Sequence, residues 1–294
     1  MKIAVFDDDR VGLVEEDLIC DVTAAVPDAG PEFPRVYMSR LIAQWDRRKA
    51  DIEKARREAR ARPLSEVTLR APNPFPLHVV AAPVNYRKHI GEIGARSVSG
   101  GASAVERGFF LKASSSVIGA GEAIRLPRGS TRRFDHESEL AVVIGRQARN
   151  VPREQALSHV FGYCCLIDVT LRIEPGRFEE ERVARKSFDT FTPVGPYIVT
   201  ADEIGDPGDL ANRLWVNDEL RQDSRTSALI LDVPGLIEWA SSVMTLQPGD
   251  IIATGTPEGV GQFSPGDRVR MEIERVGSMT LPVVEEEDFA PRRF

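Results

Sequence analysis

Short apolar segments separated by turn residues dominate the chain beyond residue 75, and this pattern predicts many short strands. The segments read "HVVAAPVNY", "GFFLKASSSVIG", "ESELAVVIG", "VFGYCCLIDVT", "PVGPYIVT", "NRLWVNDEL" and "DIIATGT". Helical patterning between them is too sparse for a doubly wound parallel sheet. We therefore expect a strand-rich α+β fold in which a mixed β-roll or barrel forms the main domain.

The best helical pattern in this region lies in "DVPGLIEWASSVMTLQPGD". Asp232 is suited to cap the helix, Pro234 falls in its first turn, and apolar residues line one face until Pro248. The sequence therefore predicts a helix that begins directly after Asp232.

The N-terminal segment has a different pattern. "MKIAVFDDDRVGLVEEDLICDVT" alternates short apolar runs with an acidic turn, which predicts a small β-meander. A thin apolar stripe on charged sequence predicts a helix over residues 39–61, ended by Pro63. The proline-rich "RAPNPFPLH" then marks a change of composition, so we expect a small α+β domain over residues 1–70 and a catalytic domain over residues 71–294.

Charge and cysteine content narrow the class of protein. The chain has 38 Lys and Arg residues against 45 Asp and Glu, a formal net charge of -7, which argues against binding to nucleic acid or anionic membranes. No secretory signal pattern begins the sequence, and no apolar run approaches the roughly 20 residues of a membrane span, so we expect a soluble cytoplasmic protein. Cys20, Cys164 and Cys165 show neither a disulfide framework nor metal-ligand spacing.

Two carboxylates stand at the head of the predicted strand "FDHESELAVVIG". Residues two apart in a strand face the same side, so Glu137 and Glu139 would share a face with Ala141 and Val143, where core is expected. Like charges this close repel one another unless a cation lies between them. The alternative is a frayed strand end with both side chains in solvent.

Asp168 is the acidic residue of the apolar segment "GYCCLIDVT", and a buried carboxylate must be paired, hydrogen-bonded or bound to a metal. Glu137, Glu139 and Asp168 together form an all-oxygen set suited to Mg²⁺, Mn²⁺ or Ca²⁺, without the imidazole and thiolate ligands that zinc prefers. The three residues therefore predict a divalent metal site.

His89 and Glu92 lie three residues apart in "PVNYRKHIGEIG". On a helical turn this spacing places them on one face, where the carboxylate would orient the imidazole and raise its basicity. A metal-binding pair and a chance surface arrangement remain as alternatives. The chain has no nucleophile-elbow, phosphate-loop or zinc-protease motif, which argues against serine hydrolase and nucleotide-binding functions.

Several motifs taken together resemble the fumarylacetoacetate hydrolase family, in order over roughly residues 75–275. They are "APVNYRKHIGE", "FLKASSSVIGAGEAIRLP", "FDHESELAVVIG", "GYCCLIDVT", "RKSFDTFTPVGP", "VNDELRQ" and "PGDIIATGTPEGVG". The N-terminal segment is similar to the small extra domain of longer bacterial members. The resemblance thus implies the family's strand-rich catalytic fold, a keto-acid substrate and a homodimer.

The resemblance also implies roles for individual residues. The metal ligands would be Glu137, Glu139 and Asp168, binding Mg²⁺ or Mn²⁺, with Ca²⁺ as a substitute in a crystal. The catalytic residues would be the general-base dyad of His89 and Glu92, together with Lys186. The substrate-binding residues would be Arg172, Thr256 and Tyr86. Ile173 departs from the family pattern, because members with an "S-A-R-D" motif carry Asp after the arginine, and this leaves the substrate open.

Family members act on 2-oxo and 2,4-dioxo acids, so the resemblance implies hydrolytic C–C cleavage of an acylpyruvate through a metal-stabilised enolate. The alternatives are an isomerase, hydratase or decarboxylase of an unsaturated 2-oxo acid or oxaloacetate, and a member that binds metal and keto acid without turnover. The Gly- and Ser-rich segment from Ile93 to Gly108 is either a plain surface loop or a lid over the substrate.

Overall fold

The computed structural model describes residues 1–93, 103–173 and 182–287, apart from the side chains of Glu92, Ile93 and Arg107. The strands are β1 (Lys2–Phe6), β2 (Arg10–Glu15), β3 (Leu18–Asp21), β4 (Ala61–Pro63), β5 (Leu69–Arg70), β6 (Val79–Ala81), β7 (Phe110–Lys112), β8 (Val117–Ile118), β9 (Ile124–Pro127), β10 (Phe134–His136), β11 (Ser138–Ile144), β12 (Val160–Ile167), β13 (Thr170–Leu171), β14 (Thr192–Thr200), β15 (Ala211–Val216), β16 (Glu219–Arg225), β17 (Ile251–Ala253), β18 (Gly261–Gln262), β19 (Arg268–Ile273) and β20 (Gly277–Glu286). The α-helices are α1 (Tyr37–Ala43), α2 (Trp45–Glu58), α3 (Arg87–Ile93), α4 (Ala104–Arg107), α5 (Arg153–Ala156), α6 (Arg182–Lys186), α7 (Ala201–Ile204) and α8 (Val233–Val243), and short 3-10 turns lie at Thr23–Ala25, Leu64–Glu66, Ser114–Ser116, Leu157–His159 and Thr226–Ala228.

Within the described residues the strands form three sheets. The largest has the order β4-β3-β2-β1-β14-β12-β11-β17-β6-β7, with β5 beside β1 and β8 beside β14. The second has the order β13-β10-β18, and the third has the order β16-β15-β19-β20-β9. The predicted strand-rich α+β fold is confirmed, and its largest sheet is an open roll whose end strands β4 and β7 do not pair with each other.

The strand β11 lies at the centre of the largest sheet and is buried on both faces. Leu140 and Val142 belong to one apolar core, whereas Ala141 and Val143 belong to a second core on the opposite face. This alternation follows from the two-residue period of a strand. Because both faces are covered by apolar side chains, any charged group at the end of β11 is removed from water.

The N-terminal meander is confirmed, since β1 pairs antiparallel with β2 and β2 with β3. In addition, β1 pairs antiparallel with β14, with Lys2 opposite Val199 and Ile3 opposite Ile198. The N-terminal strands therefore extend the sheet that contains β11. The division at residue 70 stays a prediction.

The helix predicted over residues 39–61 is wrong in its bounds. Two helices occupy the region, α1 and α2, and the chain bends between them at Gln44, whose backbone torsions are φ -109° and ψ 11°. The bend lets α1 bury four side chains, Tyr37, Met38, Leu41 and Ile42, while α2 buries Ile52 and otherwise lies at the surface. After α2 the chain becomes extended, and β4 pairs with β3.

The helix predicted after Asp232 is confirmed as α8. The Asp232 carboxylate accepts a hydrogen bond of 3.1 Å from the Gly235 amide, which satisfies one of the free N–H groups of the first turn. Among the described residues, no helix is long and apolar enough to cross a membrane.

Candidate active site

The pairing of β11 with β12 brings the three predicted metal ligands together. Ser138 lies opposite Ile167 in this ladder, so Glu137 and Asp168 face each other one step beyond it. The Asp168 amide donates a 2.8 Å hydrogen bond to the Glu137 carbonyl. Glu139 follows two residues later, and one carboxylate oxygen from each of the three residues lies within 4.8 Å of the others. All three side chains are buried, which contradicts the frayed-strand alternative.

Lys186, at the end of α6, lies against this carboxylate cluster, which we define as Glu137, Glu139 and Asp168. Its Nζ donates hydrogen bonds of 2.7 Å to Glu137, 2.5 Å to Asp168 and 2.8 Å to the Thr170 hydroxyl. The same ammonium lies 5.3 Å from the centre of the Phe110 ring. Charge-assisted bonds of this kind hold both carboxylates in fixed orientations.

A second lysine, Lys112, was not identified by sequence reasoning. It ends β7, its side chain is fully buried, and it donates hydrogen bonds to Asp168 and, at 2.9 Å, to the Phe191 carbonyl. The signal was present in the sequence, because Lys112 is a charged residue in the apolar run "GFFLKASSS". A buried charge requires a partner, which is the argument already applied to Asp168.

Arg172 follows β13 and is bound to two carboxylates. Its Nε donates a 2.6 Å bond to Asp135, and a terminal nitrogen donates a 2.6 Å bond to Glu137. Arg133 binds Asp135 from the other side, at 2.7 Å. The guanidinium therefore supports the cluster in this structure, and its predicted contact with substrate stays a prediction.

The electrostatic environment separates the two glutamates. Burial alone raises the pKa of Glu137, but the opposing positive charges of Lys186 and Arg172, with His89, outweigh it and hold that pKa well below its usual range. Burial and the neighbouring charges of Asp168 and Glu137 raise the pKa of Glu139 well above its usual value. The neighbouring negative charges thus make ionisation of Glu139 unfavourable, and a cation among the three carboxylates would relieve this repulsion.

Glu139 contacts the loop that follows β17. The Gly255 amide donates a 2.7 Å hydrogen bond to its Oε2 atom, and the backbone at Gly255 has φ 94°, a region that glycine adopts readily. A Cβ atom there would lie 2.7 Å from the Asn85 Cβ atom, so close packing also favours glycine. The loop brings Thr256, a predicted substrate-binding residue, next to the cluster.

The remaining predicted site residues lie on α3 and at its N-terminal end. His89 is buried, and its charge contributes to lowering the pKa of Glu137. Tyr86 is fully buried. Glu92 falls in α3, but its side chain lies outside the described residues, as do residues 94–102 of the predicted loop or lid.

Gln222 was also missed by sequence reasoning. It lies on β16 of the third sheet and is fully buried. Its amide hydrogen-bonds to the Ser138 backbone, the His136 ring, the Thr256 hydroxyl and the Pro257 carbonyl. The residue belongs to the quoted motif "VNDELRQ", but a contact between two sheets cannot be read from strand periodicity.

The carboxylate cluster fits a divalent cation by its chemistry. Its donors are carboxylate oxygens, which Mg²⁺ and Mn²⁺ prefer, and they converge from two adjacent strands. His136, the nearest imidazole in sequence, stacks on Phe263 and binds Gln222, so it serves as a packing residue of the neighbouring strand. The residues present therefore match the predicted metal site.

Comparisons with known proteins identify the family of the chain. The model of the family described as fumarylacetoacetate (FAA) hydrolase, C-terminal, matches residues 78–284. Over 290 residues the chain is 47% identical to the maleylpyruvate hydrolase of Aquipseudomonas alcaligenes, covering 96% of this chain and 99% of that protein. It is 39% identical over 225 residues to the oxaloacetate tautomerase YisK of Bacillus subtilis, covering 74% and 73% of the two chains.

A solved structure is similar along nearly the whole chain. The crystal structure of maleylpyruvate hydrolase from Sphingobium sp. SYK-6, in complex with manganese(II) and pyruvate, aligns with a TM-score of 0.86 and 44% identity. The alignment covers 98% of this chain and 100% of that one. With the family match spanning most of the sequence and relatives similar along its full length, the chain belongs to the fumarylacetoacetate hydrolase family.

Proposed function

We propose that the protein is an acylpyruvate-type hydrolase that cleaves a 2,4-dioxo acid of the maleylpyruvate class and releases pyruvate. The observation that carries the proposal is the buried carboxylate cluster, with Lys186 bound to two of its members. Full-length similarity to proteins named maleylpyruvate hydrolase, one of them a complex with manganese and pyruvate, supports the same reaction.

The three residues of the carboxylate cluster would hold Mg²⁺ or Mn²⁺. When bound, the ion supplies positive charge that stabilises negative charge developing on the oxygens of the keto acid. Lys112 and Lys186 each hydrogen-bond to Asp168, on Oδ1 and Oδ2 respectively, and so fix the direction in which it presents its oxygens. Such supporting contacts tune the ligands of metal sites.

His89 would act as the general base. A water O–H proton passes to the imidazole while the water oxygen forms a bond to the C4 carbonyl carbon. The C3–C4 bond then breaks, its electron pair moves onto C3 and the C2 oxygen, and C3 takes a proton to give pyruvate, while the C4 fragment leaves as a carboxylic acid.

Substrate binding would fall to Arg172, Thr256 and Tyr86. The Tyr86 hydroxyl is buried, and a keto-acid oxygen would accept a hydrogen bond from it. Arg172 carries positive charge next to Glu137 and would attract an anionic substrate.

Tautomerisation of oxaloacetate is the second candidate, favoured by the similarity to YisK. That reaction moves a proton between C3 and the C2 oxygen and uses no attacking water. Ile173, in place of the family Asp, removes a polar group next to Arg172 and bears on which acid is preferred.

We also propose that the protein functions as a cytoplasmic homodimer, which the family resemblance supports. Light scattering on the purified chain is expected to give twice the monomer mass of 32.5 kDa. A monomeric mass at working concentration would contradict the dimer.

A substrate panel tests the proposed function directly. The metal-free protein, reloaded with Mn²⁺ or Mg²⁺, is assayed with maleylpyruvate, other acylpyruvates, unsaturated 2-oxo diacids and oxaloacetate. We expect acylpyruvate cleavage with the highest kcat/KM and one pyruvate per bond broken. Oxaloacetate enol–keto conversion without any C–C cleavage would replace the hydrolase with the tautomerase, and saturable keto-acid binding without any turnover would indicate a non-catalytic member.

A further inference from the structure

Gln222 uses every hydrogen-bonding position of its side-chain amide. The Oε1 atom lies 3.0 Å from the Ser138 backbone nitrogen and 3.2 Å from His136 Nδ1. The Nε2 atom lies 2.8 Å from the Thr256 hydroxyl oxygen and 3.0 Å from the Pro257 carbonyl oxygen. A primary amide offers two acceptor and two donor positions, so this buried side chain is fully satisfied.

The orientation of the amide is fixed by partners that have a single role. The Ser138 N–H can only donate and the Pro257 carbonyl can only accept, so Oε1 faces β11 and Nε2 faces the loop after β17. His136 must then donate from Nδ1. The Thr256 hydroxyl oxygen likewise accepts a hydrogen bond from Nε2.

The direction of the Thr256 hydroxyl follows from this arrangement. Because its oxygen accepts from Gln222, its own proton is available for a different acceptor, and the hydrogen bonds among the described residues use none. One residue before it, Gly255 is bound to Glu139 by its amide. The hydroxyl is therefore held at the edge of the carboxylate cluster in the donor state.

We propose that Gln222 is a positioning residue that fixes the Thr256 hydroxyl as a hydrogen-bond donor to a carboxylate oxygen of the keto acid. The proposal rests on the proposed keto-acid function and adds a residue from the third sheet to the site. The same amide binds the Ser138 N–H between Glu137 and Glu139, so it sets the distance between the metal-binding strand and the substrate-binding loop. A donor at that point favours an anionic ligand over a neutral one.

The substitution Gln222→Glu tests this role with little change of shape. It keeps the oxygen that accepts from Ser138 and His136 and removes both N–H donors. The Thr256 hydroxyl would then donate its hydrogen bond to the introduced carboxylate and would no longer donate one to the substrate. We expect KM to rise by roughly 10- to 100-fold, as for the loss of a hydrogen bond to a charged group, with kcat changed less than about threefold.

A double-mutant cycle shows whether the effect passes through Thr256. Thr256→Val removes the hydroxyl and is expected to raise KM by a similar factor. Adding Gln222→Glu to Thr256→Val is expected to raise KM by less than about threefold more, because residues acting as a unit are not additive. Gln222→Met removes the same two donors without adding charge and serves if the glutamate variant does not fold.

Asn212→Asp is the matched control. Asn212 is a fully buried amide on the neighbouring strand β15, and it donates a 3.2 Å bond to the Ser138 carbonyl without touching Thr256. In the double variant, the fold-changes in KM caused by Asn212→Asp and by Thr256→Val are expected to multiply, as they do for independent residues. Equal coupling of both amides to Thr256, or independent effects of Gln222 and Thr256, would overturn the proposal.

A binding measurement separates this inference from the proposed function. The same cycle is run on the Kd of pyruvate for the Mn²⁺-loaded protein by calorimetry, with the melting temperature of each variant recorded. A wild-type protein that cleaves no acylpyruvate would overturn the hydrolase function, whereas the coupling in pyruvate affinity would still decide the role of Gln222.

Discussion

Substitution of His89 tests whether this residue acts as the general base or as a metal ligand. If it is the base, His89→Ala is expected to lower kcat by roughly 10²- to 10⁴-fold while Mn²⁺ affinity stays nearly unchanged, because the carboxylate cluster is the proposed binding site of the ion. Glu92→Ala is expected to lower kcat as well, since the imidazole would lose the group proposed to orient it. Steady-state kinetics and Mn²⁺ titration on the same variants measure both quantities.

The half-buried His159, whose ring lies against the Arg146 carbonyl, provides the control for this comparison, and His159→Ala should leave both quantities unchanged. Weakened metal affinity in His89→Ala, with partial recovery of rate in excess Mn²⁺, would instead make His89 a ligand. Full kcat in that variant would remove His89 from the mechanism.

Lys112 is expected to matter for stability as well as for the metal site. Lys112 forms a buried ion pair with Asp168, so removing Lys112 leaves Asp168 with one cation fewer. Removing one partner of a buried ion pair destabilises a protein by about 3–5 kcal/mol. Lys112→Met should therefore lower the free energy of unfolding by about that amount in metal-free protein, as measured by urea denaturation. Added Mn²⁺ should recover part of the loss, because it supplies charge to the same carboxylate.

Lys49→Met is the matched control for the Lys112 substitution. Lys49 forms an exposed pair with Asp202 at 3.9 Å, and such pairs contribute less than about 1 kcal/mol. Equal losses in the two variants would show that the burial of Lys112 has no energetic consequence.

At the scale of strands and helices, sequence patterns predicted the structure correctly where it depends on a single strand or helix. The two-residue period placed Glu137 and Glu139 together, and the capping pattern placed the start of α8. The bend at Gln44 has no comparable signal, because it depends on which side chains reach the core. Gln222 was missed for the same reason, since it meets the site through a contact between two sheets. Lys112 did have a signal, a charged residue in an apolar run.

The cap of α8 gives an element-scale prediction. Asp232→Ala removes the carboxylate that accepts from the Gly235 amide, together with its ion pair to Arg153, and is expected to lower the free energy of unfolding by about 1 kcal/mol. Val243→Ala, at an exposed position of the same helix, should change it by less than about 0.5 kcal/mol. Thermal denaturation compares the two, and equal effects would argue against the cap.

At the scale of the whole molecule, the largest sheet contains strands from both sides of the proposed division at residue 70. Ile3 and Val5 are buried in the same core as Val194 and Ile198 of β14. A chain of residues 71–294 would keep the carboxylate cluster but expose the edge of β14. We expect it to bind Mn²⁺, melt at lower temperature and self-associate through the bare strand.

Mn²⁺ titration and light scattering on that shortened chain test the division. A fragment that shows no near-ultraviolet circular dichroism and binds no metal would contradict two separate domains. In that case residues 1–70 would belong to the folding unit of the catalytic site.

The central claim is that the carboxylate cluster binds one divalent ion on which C–C cleavage depends. The most direct measurement is a titration of metal-free protein with Mn²⁺, in which bound metal and pyruvate released from maleylpyruvate are followed together, for wild type and Glu139→Gln. We predict that activity rises in step with binding and saturates at one ion per chain, and that Glu139→Gln loses both by at least about tenfold. Full turnover without bound metal, or unchanged metal binding in Glu139→Gln, would contradict it.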